Sequence, residues 1–127
     1  MRQNFSSGGP WEEIFGYCRA VKHGNIIEIS GTTSANSSGE IEGSGDLYQQ
    51  TYIILEKIKK ILEDAGAKME NVIRTRIYTT NIQEWQKIAK AHHHFFSDIK
   101  PAATLIEAKN LIHPQILVEI EATSIIN

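Results

Sequence analysis

The sequence is short of most of the features that would place it quickly. It has one cysteine, Cys18, which forbids an internal disulfide and fits a reducing compartment, so a cytoplasmic location is expected. No apolar run approaches the length that spans a bilayer, and residues 1–10 (Met-Arg-Gln-Asn-Phe-Ser-Ser-Gly-Gly-Pro) lack the apolar segment of a signal peptide. Neither sign of charge dominates: the net charge is −2 and the pI near 6.2. That balance gives no electrostatic footprint for a nucleic-acid backbone or an anionic membrane, so neither partner is expected. There is no Cys-x-x-Cys, no His-Glu-x-x-His, no acidic calcium loop and no Gly-x-Ser-x-Gly elbow. Metal, zinc-protease and serine-hydrolase chemistry therefore have no motif to stand on.

What is present is one domain's worth of chain: 127 residues, 41% hydrophobic and 22% charged, enough to bury about two thirds of the extended-chain surface. The most informative stretch is C-terminal. Ile116, Val118, Ile120 and Ala122 alternate with Glu119, Glu121 and Thr123. A period of two in a β-branched run marks a strand with one buried side. The glutamates on its other side need water, a cation or a reaction. Two readings stay open: Glu119 lines a small-molecule pocket, or it belongs to a solvated outer face.

In chain order, residues 1–15 read as an irregular segment broken by Gly8, Gly9 and Pro10, with Trp11 anchored at the domain edge. Tyr17–Lys22 and Asn25–Ser30 read as a hairpin turning at His23-Gly24, and residues 34–45 as a Ser/Gly/Asn-rich surface loop. The Gly43-x-Gly45 pair is a weak phosphate signal, without a third glycine or a Lys-Ser/Thr, and with Asp46 to repel an anion. Asp46–Ala65 is the clearest helix. Leu47, Thr51, Ile54, Leu55, Ile58, Ile61, Leu62 and Ala65 share a face, Lys57 falls on the exposed side, Asp46 and Gln49 form a capping box, and Gly66 is the stop. Val72–Thr80 reads as a strand with Ile73, Thr75 and Ile77 on one side and Arg74, Arg76 and Tyr78 on the other. Asn81 to Glu84 reads as a second capping box opening a helix to about Ser97, with Ile82, Trp85, Ile88, Ala89, Phe95 and Phe96 as its stripe. Ala103–Lys109 is a short strand, and the strand around Glu119 closes the chain.

The expected fold is therefore an α+β domain, β-β-α-β-α-β-β, with a mixed sheet and two helices on one face. The other face carries Arg74, Arg76, Glu119 and Glu121, which pair with one another across strands or wait for another subunit; an oligomer is expected. His92-His93-His94 cannot converge on one ion, because successive helical residues point about 100° apart. Cys18 on a strand reads as a small, half-buried thiol rather than a nucleophile. Arg74 and Arg76 suit a carboxylate or phosphate, or else pair with the glutamates.

A set of local motifs resembles the RidA/YjgF family, the reactive intermediate deaminases also known as endoribonuclease L-PSP or translation inhibitor. The motifs are Gly16-Tyr17-Cys18-Arg19-Ala20-Val21, Gly24-Asn25, Ile29-Ser30-Gly31-Thr32, Ala65-Gly66-Ala67, Asn71-Val72-Ile73-Arg74-Thr75, Phe95-Phe96, Pro101-Ala102-Ala103 and Val118-Glu119-Ile120-Glu121-Ala122, in family order. The resemblance implies a single domain over residues 1–127 with a chorismate-mutase-like fold, a homotrimer with small-molecule clefts between subunits, and no cofactor or metal. Members with known activity hydrolyse enamines and imines such as 2-aminoacrylate to 2-keto acids and ammonia. Carried across, Glu119 positions the water as the catalytic residue, Tyr17 lines the cleft, and Ser30, Gly31 and Thr32 form its turn.

Two departures matter. The family's carboxylate-binding arginine falls at Ala103, and its usual glutamine falls at Arg19; the spacing near His113-Pro114 is also one residue longer. A methyl cannot make the forked guanidinium–carboxylate pair. The chain thus resembles the branch without that arginine, for which Pro10-Trp11-Glu12 and Gly31-Thr32-Thr33 look typical. Arg19 or Arg74 is expected to replace the missing cation if either reaches the cleft. The function this implies is hydrolysis or binding of a small metabolite other than a usual 2-imino acid. The alternatives are a metabolite-sensing module without turnover, and the deaminase or ribonuclease chemistry of the family labels. An acidic chain without a basic stripe fits the last of these poorly.

Overall fold

In the computed structural model, which describes residues 1–127, six strands form one mixed sheet and two long helices cover one side of it. The elements are β1 (Arg2–Phe5), α1 (Glu12–Phe15), β2 (Ala20–His23), β3 (Ile26–Thr32), α2 (Leu47–Asp64), β4 (Val72–Thr79), α3 (Trp85–Phe96), β5 (Ala102–Glu107) and β6 (Val118–Ile125). The spatial order is β1-β2-β3-β6-β4-β5; β4 and β5 run parallel, and the other pairs run antiparallel. The α+β class and the two-helix layer are as the sequence pattern predicts. No helix is long and apolar enough to cross a membrane.

The core forms where α2 and α3 lie on the sheet. Ile54, Leu55, Ile58 and Leu62 of α2 meet Ile27 and Ile29 of β3 and Val118, Ile120 and Ala122 of β6, all nearly inaccessible to water. Asp46 caps α2, its Oδ1 accepting from the Gln49 N–H at 3.0 Å. At the hairpin between β2 and β3, Gly24 takes φ +62°, the left-handed conformation a glycine adopts without a Cβ clash.

Several expectations need correction. Residues 1–15 are not irregular: Arg2–Phe5 forms an edge strand paired with β2, and Glu12–Phe15 forms a helical turn. The Arg-Gln-Asn-Phe strand has no apolar alternation and is held by backbone pairing, so a hydrophobic period cannot see it. Ile73 does not share the buried side with Thr75 and Ile77. The register slips between Val72 and Arg74, so Ile73 is the extra residue of a bulge and is exposed. Asn81–Glu84 does not cap α3; Ile82–Glu84 is a 3₁₀ turn, and Asn81 Nδ2 donates to Glu84 Oε1 at 3.1 Å instead. Trp85, assigned to the α3 stripe, is half in water, while Ala91 is buried in that layer.

Candidate functional site

The site begins with an irregularity in β3. Between Ile29, opposite Ala122, and Thr32, opposite Ile120, β3 carries one residue more than β6, so Ser30-Gly31 bulges out of the ladder. Hydrogen bonds fix the bulge: Ser30 Oγ donates to the Cys18 carbonyl at 2.7 Å, and Thr32 Oγ1 to the Ser30 carbonyl at 2.8 Å. Arg19 Nη2 donates to the Gly31 carbonyl at 2.6 Å, and its guanidinium carbon lies 5.5 Å from the Tyr17 ring centroid. Glu119 of β6 comes in from the facing strand. Its carboxylate occupies the space that a Cβ on Gly31 would fill, so any side chain at residue 31 would push the Glu119 carboxylate out of this position.

Tyr17, Arg19, Ser30, Gly31, Thr32 and Glu119 therefore line one cleft of about 820 Å³. Its opposite wall comes from α1 and the loop before it, with Trp11, Ile14 and Phe15, and from Ile112. That wall is tied down by Glu12, which is buried and accepts from Ser6 Oγ at 2.8 Å, the Ser7 N–H at 3.2 Å, Ser7 Oγ, and the Gly9 N–H at 3.4 Å. The third wall is the start of the loop after β3, held by Lys57 of α2, whose ammonium donates to the Thr33 carbonyl at 2.8 Å and to the Ala35 carbonyl. Lys57 is half-buried, not on the exposed face to which helical periodicity assigns it.

Electrostatics single out two of these side chains. Burial raises the Glu119 carboxyl above its ordinary value; the nearby Arg19 guanidinium opposes this, and Glu121 adds to it. Burial also lowers the Lys57 ammonium, helped by the positive charge of Arg19 and opposed by Glu42. The Glu119 shift has a defined sign in stability. Its folded-state affinity for a proton exceeds the unfolded one, so its contribution to stability falls as pH rises from the ordinary carboxylate range through the raised folded value. Glu119→Gln should therefore melt higher than the parent at pH 7. The difference should shrink as the pH falls through the raised folded value and be gone below about 4, the ordinary carboxylate range. Thermal scans between those limits test this; a variant destabilised at pH 7 would contradict it.

Other sequence candidates lie elsewhere. Ala103 is exposed on β5, opposite Thr75, and borders a second hollow with His93 and Lys100 on the helix-covered side of the sheet. Glu119 lies opposite Tyr78 on the other side. Arg74 does not reach the cleft; its Nη2 donates to Thr104 Oγ1 at 2.6 Å. Arg76 makes the expected cross-strand pair, 3.7 Å from Glu121. His92 Nε2 lies 3.0 Å from Thr75 Oγ1 and its ring 4.6 Å from Phe96, with its imidazole pKa lowered by burial. His94 turns to Tyr52, and no three metal-ligating side chains gather anywhere in the chain. Cys18 is half-buried.

The family model for endoribonuclease L-PSP matches residues 11–126. The chain belongs to that family, the RidA/YjgF family. Among its relatives, an uncharacterised protein of Streptomyces coelicolor, SCO2049, is 34% identical over 115 residues, spanning 91% of this chain and 85% of its own. The 3-aminoacrylate deaminase RutC of Acinetobacter baylyi is 28% identical over 108 residues, spanning 85% of each chain. The crystal structure of Rv2704, a YjgF/YER057c/UK114 member from Mycobacterium tuberculosis, superposes with a TM-score of 0.89 at 38% identity, covering 99% of this chain and all of that one. The RidA/YjgF assignment thus rests on sequence and backbone together. Sequence reasoning missed Lys57, which helical periodicity puts on the exposed face, and the Ile14, Phe15 and Ile112 wall, whose only trace was apolar residues in two segments that otherwise read as loop or turn.

Proposed function

We propose that this RidA/YjgF member works as a trimer whose inter-subunit clefts hydrolyse a small imine- or enamine-type metabolite, with Glu119 as the group that handles water. The observation that carries the reading is the half-buried Glu119 carboxylate packed against the Ser30-Gly31 bulge beside Arg19. A carboxylate whose pKa is raised by desolvation is a better base for water near neutral pH than one in bulk solvent. An enamine first gains a proton at its β-carbon and loses one from nitrogen, giving the imine. Glu119 then takes a proton from water as the water oxygen adds to the C=N carbon, and returns that proton to the nitrogen. The carbinolamine's hydroxyl proton passes to the nitrogen as the C–N bond breaks, leaving a carbonyl and ammonia. A relative named as a 3-aminoacrylate deaminase supports this class of reaction.

Three-carbon 2-imino acids are poor substrates in this reading. Ala103 cannot grip a carboxylate, and without an arginine there the site lacks hydrogen bonds to a charged group worth about 1.5–3 kcal/mol each. Ala103 and Glu119 point to opposite sides of the sheet, so if both face one ligand, they belong to different copies of the chain. The exposed edge strand β5, which carries Ala103, suits such an assembly. Ammonia release from 2-aminoacrylate and from neutral enamines, with sedimentation on the same preparation, tests the proposal. The expected result is a trimer that is slow on 2-aminoacrylate and faster on at least one neutral enamine. A 14.3 kDa monomer at micromolar concentration, or rapid 2-aminoacrylate turnover, contradicts it.

A metabolite-binding module without turnover is the second reading. The specific observation in its favour is that Arg19, the one arginine in the cleft, already donates to the Gly31 carbonyl. Ligand-dependent melting shifts without any product would select it.

A further inference from the structure

Two opposite charges in the cleft meet at one residue without pairing. Arg19 Nη2 donates to the Gly31 carbonyl at 2.6 Å, and the Glu119 carboxylate packs against the same glycine, on the side a Cβ would take. A guanidinium beside a carboxylate ordinarily forms a forked pair with it. Yet the ion pairs of the chain join Lys60 to Asp64, Arg76 to Glu121 and Lys87 to Glu84, and Arg19 is in none of them. Its Nε–H is also buried without a partner. A buried donor left open costs free energy, so the guanidinium is held where it is by something other than its own best contacts.

The chain past the bulge supplies the restraint. Alternate carbonyls from Gly31 to Ala35 are all taken by cations: Gly31 by Arg19, and Thr33 and Ala35 by Lys57. Arg19 precedes β2 in the sheet and Lys57 comes from α2 in the helix layer, so the segment is clamped from both layers. Hydrogen bonds from charged donors are the strong ones. The two cations repel one another, and the carboxylate whose charge reaches Lys57 is Glu42, not Glu119.

We infer that Lys57 is a positioning residue for Glu119: by holding the Thr33 and Ala35 carbonyls it fixes the bulge, keeps Arg19 on the Gly31 carbonyl, and so keeps Arg19 off the Glu119 carboxylate. The carboxylate stays unpaired and able to accept a proton. This deepens, and rests on, the reading of Glu119 as the group that handles water. The other charged and titratable groups near Glu119 have partners or carry no charge: Glu121 on its own strand pairs with Arg76, Lys60 on α2 pairs with Asp64, and Tyr78 faces it from β4 with a hydroxyl held neutral by burial.

Carbon NMR of the Glu119 side-chain carboxyl, titrated in the assembled protein without substrate, tests the inference, with Glu119→Gln to assign the signal. Lys57→Met should weaken the affinity of Glu119 for a proton about tenfold or more, as the released guanidinium comes into contact with it. Mere loss of a neighbouring positive charge would act with the opposite sign and strengthen that affinity. Lys57→Arg, which keeps a cation able to donate to the carbonyls, should leave the parent value. In an Arg19→Met background, Lys57→Met should no longer weaken it, since no guanidinium remains to move. If Lys57→Met does not fold, Lys57→Gln is read in the same way. A strengthened or unchanged affinity, or a weakening that persists without Arg19, overturns the inference. In protein that turns over an enamine, the acid limb of kcat/KM should also move to lower pH in Lys57→Met, with a fall in kcat. Weakened proton affinity in protein inactive on every enamine keeps the positioning role and removes the catalytic reading. Turnover that Glu119→Gln abolishes, with a Glu119 titration indifferent to residue 57, does the reverse.

Discussion

Glu119→Gln should reduce ammonia release by about two to four orders of magnitude, the usual contribution of a positioned general base. Glutamine keeps the size of the side chain and can still hold a water, but it cannot accept that water's proton. The loss should appear in kcat more than in KM, because the other side chains lining the cleft, Tyr17 and Arg19 among them, are left unchanged. Since relief of a desolvated charge should also make the variant more stable at neutral pH, a folded, heat-resistant and inactive protein is the expected product. Wild-type kcat in that variant would assign the proton transfer to another group.

The second large effect is on stability. Gln50→Leu should cost roughly 2–5 kcal/mol in urea unfolding, although it replaces a polar side chain by an apolar one inside the core. Gln50 is fully buried on α2. Its amide donates to the Gln115 carbonyl at 2.8 Å and to the Gly43 carbonyl at 3.3 Å, and its oxygen accepts from the Leu117 N–H at 2.9 Å. One side chain thus satisfies the backbone of two loops, one before α2 and one before β6. Leucine leaves those groups without partners, each at roughly 1–3 kcal/mol. A leucine variant as stable as the parent would mean that water enters to replace the amide.

These two residues also mark what a sequence can and cannot reveal. The strand around Glu119 was legible because one buried face and one wet face impose a period of two. The α2 stripe was legible for the matching reason at 3.6, yet the same pattern makes Gln50 look like an interruption and Lys57 like a surface charge. Their roles depend on residues 65 and 22 positions away, which no local period encodes. The bulges at Ile73 and Ser30-Gly31 were invisible because an extra residue changes which side faces the core without changing composition. β1 was missed because backbone pairing to β2 holds it, not side-chain burial. The cleft follows the same rule: Tyr17, Ser30, Gly31 and Glu119 were found through short family motifs, whereas its apolar wall lies in a segment whose order depends on Glu12 gathering four donors.

The position of β6 has a consequence for how the molecule is made. It lies between β3 and β4, and pairs residues as far apart as Ile26 and Ile125. A nascent chain that has emerged only through β5 therefore holds two separate pieces of sheet, each with a bare edge, and cannot join them until residues 118–125 arrive. Such long-range closure is slow, and the open edges are liable to pair with other chains in the interval. Stalled or C-terminally clipped chains should consequently accumulate as aggregates and not as a smaller folded species.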